Sequence, residues 1–343
     1  MRYDSGIDAR IRAGQGPEPT VIRAVVDDVA ERLGERGVLR EQERLVADLA
    51  GLGPLAGLAR QPAVTDILVN GDGWTWIDRG RGLERVPEHD FVGTEQVRRF
   101  AVRLAGIAGR RLDDSQPWVD GLLPGGVRLH AILPPLAADG TSISLRMLRR
   151  GSLRLGDLEA VGMCTPAQAD ELRTLIATKE AFVVTGGTGA GKTTLLAALL
   201  AEVDERERIL VVEDVLEIPL HRGHVVRLQA RPANVEGQGL VTLVDLVRQA
   251  LRMRPDRLVV GEVRGAEVRE LLLALNTGDE GGSCTLHANR PADVPARLEA
   301  LGALAGMSRE AVRAQVATAI STVVHVVRRP GGRVIESIER LRV

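Results

Sequence analysis

A glycine-rich segment between a short apolar run and a helical pattern constrains this chain more than any other feature. Residues 181–185 (AFVVT) have the length and composition of a buried parallel strand, and residues 194–203 (TLLAALLAEV) have helical character. The segment between them satisfies the phosphate-loop pattern GxxxxGK[ST], in which successive backbone N–H groups can surround a phosphate. The flanking strand and helix favour this interpretation over a glycine-rich turn that binds nothing.

The residue types in this loop predict its chemistry. Lys192 would reach the β- and γ-phosphates of a nucleotide, the Thr193 hydroxyl would ligate Mg²⁺, and the helix N-terminus adds positive potential. Lys179 and Lys192 are the only lysines among 45 Lys and Arg residues. A chain that otherwise uses arginine therefore has a lysine, with its compact ammonium group, at position 192 of the loop. The predicted nucleotide-binding residues of the loop are Gly186, Gly187, Thr188, Gly189, Ala190, Gly191, Lys192, Thr193 and Thr194.

Length, composition and charge limit the class of protein. A chain of 343 residues favours two domains, and with only three Trp, three Phe and one Tyr its core must consist of Val, Leu, Ile and Ala. A formal net charge of −1 gives no bulk attraction to nucleic acid or to an acidic membrane. We expect a cytoplasmic protein, because no apolar run approaches the ~20 residues of a membrane span and the N-terminus has no apolar signal core. Cys164 and Cys284 form no CxxC pair, which favours a reducing compartment and excludes a four-cysteine zinc site.

The first part of the chain predicts an α+β domain over residues 51–148. Residues 1–50 form a separate helical extension, partly flexible, and residues 149–157 are the expected linker, although Arg149–Ser152 is equally compatible with a tight loop. The predicted elements are helices at 20–33, 41–49 and 94–105, strands at 65–70, 74–78 and 141–148, and strand pieces within 118–136 that are broken at Gly121, Pro124 and Gly125-Gly126.

From residue 158 to residue 343 the pattern changes to buried strands that alternate with helices. This order predicts a mainly parallel sheet covered on both faces, with ligand bound at the carboxyl ends of the strands. The predicted strands are 181–185, 208–213, 225–228, 257–261, 283–286, 322–327 and 333–338, and the predicted helices are 166–178, 193–203, 242–253 and 266–276, with two more after residue 286.

Carboxylates follow two of these strands. Glu262 ends LVVGE in the form of a Walker B site, although Asp is more common there, and it could hold Mg²⁺ through water or orient the attacking water. In Ile209–Glu217 (ILVVEDVLE), the acids Glu213, Asp214 and Glu217 follow a strand. A single acid at a strand end is usually solvated, but two such clusters in one domain with a phosphate loop favour catalysis.

His287 follows a third apolar strand. A lone histidine is more often structural, but its place in the strand order is also compatible with a sensor of the γ-phosphate. Arginines are too numerous to be distinguished by composition, although phosphoryl transfer benefits from an arginine supplied across an interface.

Several motifs in order resemble the type II/type IV secretion ATPase superfamily, and within it the branch that assembles Flp (tight-adherence) pili. The resemblance runs from about Leu52 to the C-terminus. The second part carries it in GGTGAGKTT (186–194), VVEDVLEIPL (211–220), VRLQARPANVEGQG (226–239), LVRQALRMRPDRLVVGEVRG (246–265) and NTGDEGGSCTLHANRP (276–291). The first part agrees in GPLAGLARQPAVTDILVNG (53–71) and in residues 109–148.

This resemblance implies a cytosolic, hexameric motor that hydrolyses ATP with Mg²⁺ at the inner face of a membrane. It implies a C-terminal RecA-like ATPase domain, with ATP between that domain and the N-terminal one, and integral inner-membrane platform proteins as partners. Membrane association would occur only through those partners, and no nucleic acid is expected. By motif, Glu262 is the Walker B acid, Glu217 closes the aspartate box as water activator, and His287 marks the histidine box. Arg128 and Arg146 match N-terminal-domain arginines near the phosphates, and Arg252 and Arg264 lie in matching motifs without a specified role.

Other functions remain possible at this level. The stretch 276–291 also fits a type IV secretion ATPase that exports effectors or DNA. A RecA-like DNA translocase would use the same core, but such proteins carry aromatic stacking platforms beside basic grooves, and this chain has few aromatics. A nucleotide-binding scaffold without turnover is disfavoured because Lys192, Glu217, Glu262 and His287 are all present.

Overall fold

A computed structural model describes residues 51–80, 82–87, 91–147, 153–220, 223–233, 238–276 and 281–342. The predicted helices within residues 1–50 and the linker residues Arg149–Ser152 lie outside these ranges. The chain divides into two compact units, Met1–Arg149 (unit 1) and Arg150–Val343 (unit 2). Sheets and helices occur in both units, so the prediction of a mixed α/β fold is confirmed. Within the described ranges, no helix combines the length and the apolar character needed to cross a membrane.

Unit 1 contains one six-stranded antiparallel sheet in the order β3-β2-β1-β6-β5-β4. Alternate strand residues, such as Ile67 and Val69, are buried, and they share a core with the apolar side of the long helix. The elements are β1 (Asp66–Val69), β2 (Thr75–Asp78), β3 (Leu83–Arg85), β4 (Trp118–Leu123), β5 (Val127–Ile132), β6 (Ser142–Met147), α1 (Ala56–Ala59) and α2 (Thr94–Ile107).

Strands β3 and β4 of unit 1 differ from the sequence predictions. The predicted break at Gly121 is wrong, because β4 continues through it and pairs Gly121 with Leu129. A Cβ atom at Gly121 would lie 2.8 Å from the Cβ of Ala108, so the glycine permits close packing rather than ending the strand. Strand β3 was not predicted, because all three of its residues are exposed and it has no apolar alternation.

Unit 2 contains a seven-stranded sheet in the order β13-β12-β7-β11-β10-β8-β9. Every neighbouring pair is parallel except β12 with β13. The strands are β7 (Phe182–Thr185), β8 (Ile209–Glu213), β9 (Val225–Gln229), β10 (Arg257–Val263), β11 (Gly281–Leu286), β12 (Thr322–Arg329) and β13 (Gly332–Arg340). The helices are α3 (Leu155–Ala160), α4 (Pro166–Ala177), α5 (Lys192–Ala201), α6 (Leu243–Ala250), α7 (Glu267–Asn276), α8 (Val294–Leu304) and α9 (Arg309–Ala319).

Both faces of this sheet are buried. Val211 and Val259 belong to the hydrophobic core that includes the helix following the phosphate loop, whereas Val212 and Val260 belong to the core on the opposite face. This two-sided burial explains why the strands are continuous apolar runs in the sequence.

Three boundaries in unit 2 correct the sequence predictions. Helix α3 begins at Leu155, inside the predicted linker 149–157, because Leu155 is fully buried in the core of unit 2. The helix predicted at 242–253 ends at Ala250 and continues as a 3-10 turn. Strand β10 extends to Val263, so Glu262 lies within the strand and not after it.

Candidate nucleotide-binding and catalytic site

The predicted phosphate loop connects the buried strand β7 to helix α5, which begins at Lys192. Gly191 occupies the N-cap position, and within the described residues no side chain caps this helix end. The first backbone N–H groups of a helix have no partner inside the helix, and they favour an anion. The local structure therefore fits a bound phosphate.

Lys192 folds back over the loop that precedes it. Its Nζ atom donates hydrogen bonds to the carbonyl oxygens of Gly186 and Gly187, each at 3.0 Å. Burial lowers the pKa of Lys192, while the charges of Glu262 and Glu217 act to raise it. A partly desolvated ammonium group in this position is suited to pairing with phosphate oxygens.

Glu262 lies at the carboxyl end of β10, next to β8 in the sheet. Its side chain is 28% exposed and forms an ion pair with Arg264. The hydrogen bond that Arg264 donates to Glu262 is the main cause of the raised pKa of Arg264, and the charges of Asp214 and Glu217 raise it further. The structure thus brings Lys192, Glu217, Glu262 and Arg264 into one electrostatic cluster at the carboxyl ends of β8 and β10.

Glu213 was named in the sequence analysis only as one of three acids, yet it is the most deeply buried of them. The residue is 3% exposed, and its Oε1 atom accepts hydrogen bonds from the backbone N–H groups of Glu217 and Ile218, each at 2.9 Å. Arg227 Nη2 lies 3.5 Å from Glu213 Oε2. Burial raises the pKa of Glu213 to about 7, although the two hydrogen bonds and Arg227 act against this rise.

A second buried carboxylate, which the sequence analysis did not identify, holds the segment after β10. Glu267 is 6% exposed, and its Oε1 atom accepts hydrogen bonds from the backbone N–H groups of Arg264 at 2.6 Å and Gly265 at 2.8 Å. Its position in the first turn of α7 is typical of an acid that stabilises a helix N-terminus. Arg264, the partner of Glu262, is therefore fixed at its backbone as well as at its side chain.

One of the two histidines near the site was expected from the sequence, and the other was not. His287 is exposed directly after β11, as the strand order predicted, and its role as a phosphate sensor stays a prediction. His325, which the sequence analysis did not identify, is 1% exposed, and its Nδ1 atom lies 2.8 Å from Oγ1 of Thr185, the residue before the phosphate loop. Burial lowers the pKa of His325. The only sequence signal for His325 was a single histidine within an otherwise apolar strand, and such a histidine is more often structural.

Arg333 is a further residue beside the loop that the sequence did not single out. Its Nε atom donates a hydrogen bond to the Gly189 carbonyl at 3.0 Å. It is the second residue of β13, far from the loop in sequence, and no local motif marks it.

The arginines predicted from unit 1 lie opposite each other in its sheet. Arg128 in β5 and Arg146 in β6 are direct cross-strand partners, and Arg146 Nε donates to Asp66 Oδ1 at 3.1 Å. Their predicted role near the phosphates of a nucleotide stays a prediction.

The described residues fit Mg²⁺ in the way this ion is usually held beside a nucleotide. No group of three or more His, Cys, Asp or Glu side chains suited to a metal occurs in the part of the chain that the structure describes. Mg²⁺ commonly keeps several waters and uses one or two protein oxygens together with phosphates of the substrate. The Thr193 hydroxyl and the Glu262 carboxylate would supply such oxygens, and their role as Mg²⁺ ligands stays a prediction.

Comparison with known proteins decides the family. The model of the family described as "Type II/IV secretion system protein" matches residues 48–333. The chain belongs to this family.

A Mycobacterium tuberculosis (strain H37Rv) relative named for conjugal transfer is 53% identical over 307 residues, which is 88% of this chain and 87% of the relative. Conjugal transfer protein TrbB of Rhizobium radiobacter is 32% identical over 307 residues, 88% of this chain and 91% of the relative. Type IV secretion system protein PtlH of Bordetella pertussis is 33% identical over 255 residues, 67% of this chain and 74% of the relative.

Solved structures agree on the fold of this secretion-family member. The pilus retraction motor PilT with bound ADP has a TM-score of 0.61 and 21% identity, and covers 84% of this chain and 81% of its own. The Legionella pneumophila ATPase DotB has a TM-score of 0.57 and 22% identity, and covers 83% of this chain and 78% of its own. At these identities the likeness concerns the fold alone.

Proposed function

We propose that this member of the type II/IV secretion family is an ATPase that hydrolyses ATP to ADP and phosphate and uses the energy for mechanical work. One observation carries the proposal: the charges of Glu217 and Glu262, at the carboxyl ends of parallel strands, act on Lys192 of the phosphate loop and on Arg264. Ligands of open α/β sheets bind at this edge. Unit 2 is then a RecA-like ATPase domain, preceded by the helical extension of residues 1–50 and the α+β N-terminal domain of residues 51–148.

In this proposal each side chain has a distinct task. Residues Gly186–Thr194 surround the phosphates, and Lys192 neutralises their charge where burial already weakens its solvation. Glu217 orients the attacking water and accepts its proton, which is a general-base role. Thr193 and Glu262 would hold Mg²⁺, which would supply charge neutralisation for the transferred phosphoryl group.

The machine that we propose is a hexameric motor for a Flp (tight-adherence) pilus or a related secretion apparatus. Its partners would be integral proteins of the inner membrane, and it would act in the cytoplasm at that membrane. The alternative is a type IV secretion or conjugal transfer ATPase, which the similarity to the conjugal transfer protein TrbB and the type IV secretion system protein PtlH favours. Binding of single-stranded DNA at low salt would instead support a DNA translocase.

The proposal is tested by measuring ATP turnover per subunit against protein concentration, with sedimentation of the same samples. We expect turnover to rise as a ring forms, and Glu262→Gln to assemble while losing most of its activity. Glu270→Gln is the matched control, because this buried acid pairs with Arg248 at 2.7 Å and takes no part in the site. A wild-type protein without ATP turnover at any concentration would contradict the proposed ATPase activity. A monomer whose turnover per subunit does not change with protein concentration would contradict the proposed ring.

A further inference from the structure

Glu213 is the last residue of β8, and its side chain lies on the sheet face that packs against helix α5. Val211, two residues earlier in the strand, belongs to the core that includes this helix, and strand residues two apart share a face. The carboxylate is therefore directed into the layer that contains the phosphate-loop helix, although it is placed too deeply to meet solvent.

We propose that Glu213 is a positioning residue, whose carboxylate fixes the backbone at Glu217 and thereby sets the position of the Glu217 side chain. This inference rests on the ATPase proposed above. Glu213 Oε1 accepts both the Glu217 and the Ile218 N–H groups. A carboxylate that binds two consecutive donors determines both the position and the direction of the chain at that point. A general base must lie within hydrogen-bond reach of its proton, so this backbone contact bears directly on turnover.

The neighbouring strand provides the space for this carboxylate. A Cβ atom at Gly261 would lie 2.7 Å from Glu213 Cγ, which is closer than real Cβ contacts allow. The Gly261 carbonyl is itself held by the Thr285 hydroxyl at 2.7 Å. Strands β10 and β11 together therefore shape the place that Glu213 occupies.

The charges that face Glu213 come from two elements. Arg227 of β9 lies 3.5 Å from its Oε2 atom, and Glu217 lies on the segment that it holds. Strand β10 contributes Gly261, which carries no charge. Within the described residues, Glu213 Oε2 and Arg227 Nε have no hydrogen-bond partner. A buried carboxylate that is incompletely bonded and has a pKa of about 7 changes its charge near neutral pH.

The test is the pH profile of kcat for the full chain and for Glu213→Gln. We expect the wild-type kcat to rise as the pH increases through about 7, because the ionised carboxylate is the stronger acceptor for the two N–H groups. Glu213→Gln should lose this rise and show a kcat about 10- to 100-fold lower at pH 8, with KM for ATP within about twofold, because a small displacement of a base affects the chemical step.

Arg227→Gln tests the same idea without changing Glu213. Removal of the facing cation raises the pKa of Glu213 further, so the rise in kcat should move to higher pH. Glu207→Gln is the matched control, because Glu207 precedes the amino end of β8. This variant should keep the wild-type pH profile of kcat. A wild-type profile in Glu213→Gln, or no movement in Arg227→Gln, would overturn the positioning role.

Hydrogen–deuterium exchange separates this inference from the proposed function, because it needs no turnover. The backbone N–H groups of Glu217 and Ile218 should exchange faster in Glu213→Gln than in the wild type, and faster in the wild type at pH 6 than at pH 8 after correction for intrinsic rates. A wild-type protein without ATPase activity would contradict the proposed function alone. Unchanged exchange at these two N–H groups would contradict the role of Glu213 even in an active enzyme.

Discussion

Ion pairs of the same kind lie near the two ends of strand β8 in opposite circumstances, the first with a residue of β10 and the second with a residue of β9. At the amino ends, Arg257 is 4% exposed and binds Glu207 through Nε at 2.8 Å and Nη2 at 3.2 Å. Arg257 Nη2 also donates to the Ile176 carbonyl at 2.7 Å, and Lys179 lies 3.4 Å from Glu207. At the carboxyl end of β8, Glu213 and Arg227 of the neighbouring strand β9 approach only to 3.5 Å.

The consequences for ionisation are opposite. Burial acts to raise the pKa of Glu207, but the hydrogen bond and charge of Arg257 outweigh it, and the pKa lies below its usual value. Burial raises the pKa of Glu213 to about 7 in spite of Arg227. A fully bonded pair stabilises the fold in its charged form, whereas an incompletely bonded pair retains a group that can change its charge. The amino ends of this sheet therefore carry a pair that stabilises the fold, and the carboxyl ends carry the groups that we propose for chemistry.

The largest expected effect on stability comes from breaking the fully bonded pair. Arg257→Met leaves Glu207 without its main partner, and loss of one member of a buried pair lowers the free energy of unfolding by about 3–5 kcal/mol. Arg227→Met should cause a smaller loss, because Glu213 can take up a proton instead of remaining an unpaired charge. Urea unfolding of both variants at pH 7 measures the difference, and equal losses would remove the distinction between the two ends.

The pH dependence of stability should differ in sign between the two acids. The folded-state pKa of Glu213 is above the ordinary value of 4.5, so its contribution is complete below that pH and is lost as the pH rises through about 7. The shift corresponds to about 3 kcal/mol. The stability of Glu213→Gln relative to the wild type should therefore increase between pH 4.5 and 8.

Glu207 provides the counterpart to this measurement. Its folded-state pKa is lowered, so its contribution is present above the ordinary pKa of 4.5 and is lost as the pH falls through the folded value. Glu207→Gln should lose stability relative to the wild type at neutral pH and recover it in acid. Parallel curves for the two variants would contradict the assigned directions.

A smaller effect tests the space around Glu213. Gly261→Ala should lower the free energy of unfolding by about 1–3 kcal/mol, because its Cβ would overlap Glu213 Cγ and the packed strands must shift. Gly156→Ala is the matched control, since its Cβ would meet no atom within 4 Å and the position lies in helix α3. Thermal unfolding should show a loss only for Gly261→Ala, and an equal response at both positions would argue against this crowding.

The sequence predicted those features that depend on local patterns. The phosphate loop, the alternation of buried strands with helices, and the acids at the ends of β8 and β10 are all properties of short segments. The extension of β10 beyond Glu262 and the continuity of β4 through Gly121 were not predictable, because strand pairing decides them.

The residues that sequence reasoning missed owe their positions to tertiary structure. His325 and Arg333 reach the phosphate loop from strands more than 130 residues later in the chain. In the sequence ILVVEDVLE, nothing distinguishes Glu213 from Glu217. Only the packing of β8, β9 and β10 makes Glu213 a buried acceptor of backbone N–H groups. Burial and pairing, which a single sequence does not display, separate these roles.

The most direct measurement is ATP turnover of two Glu→Gln variants at opposite ends of one strand, with nucleotide binding measured on the same samples. Glu217→Gln should lose about 10²- to 10⁴-fold in kcat while still binding ATP, because it removes the general base and leaves Lys192 and the loop intact. Glu207→Gln, assayed where it remains folded, should keep kcat within about twofold, since its carboxylate only stabilises the fold. Equal activity in the two variants would contradict a catalytic site at the carboxyl ends of this sheet.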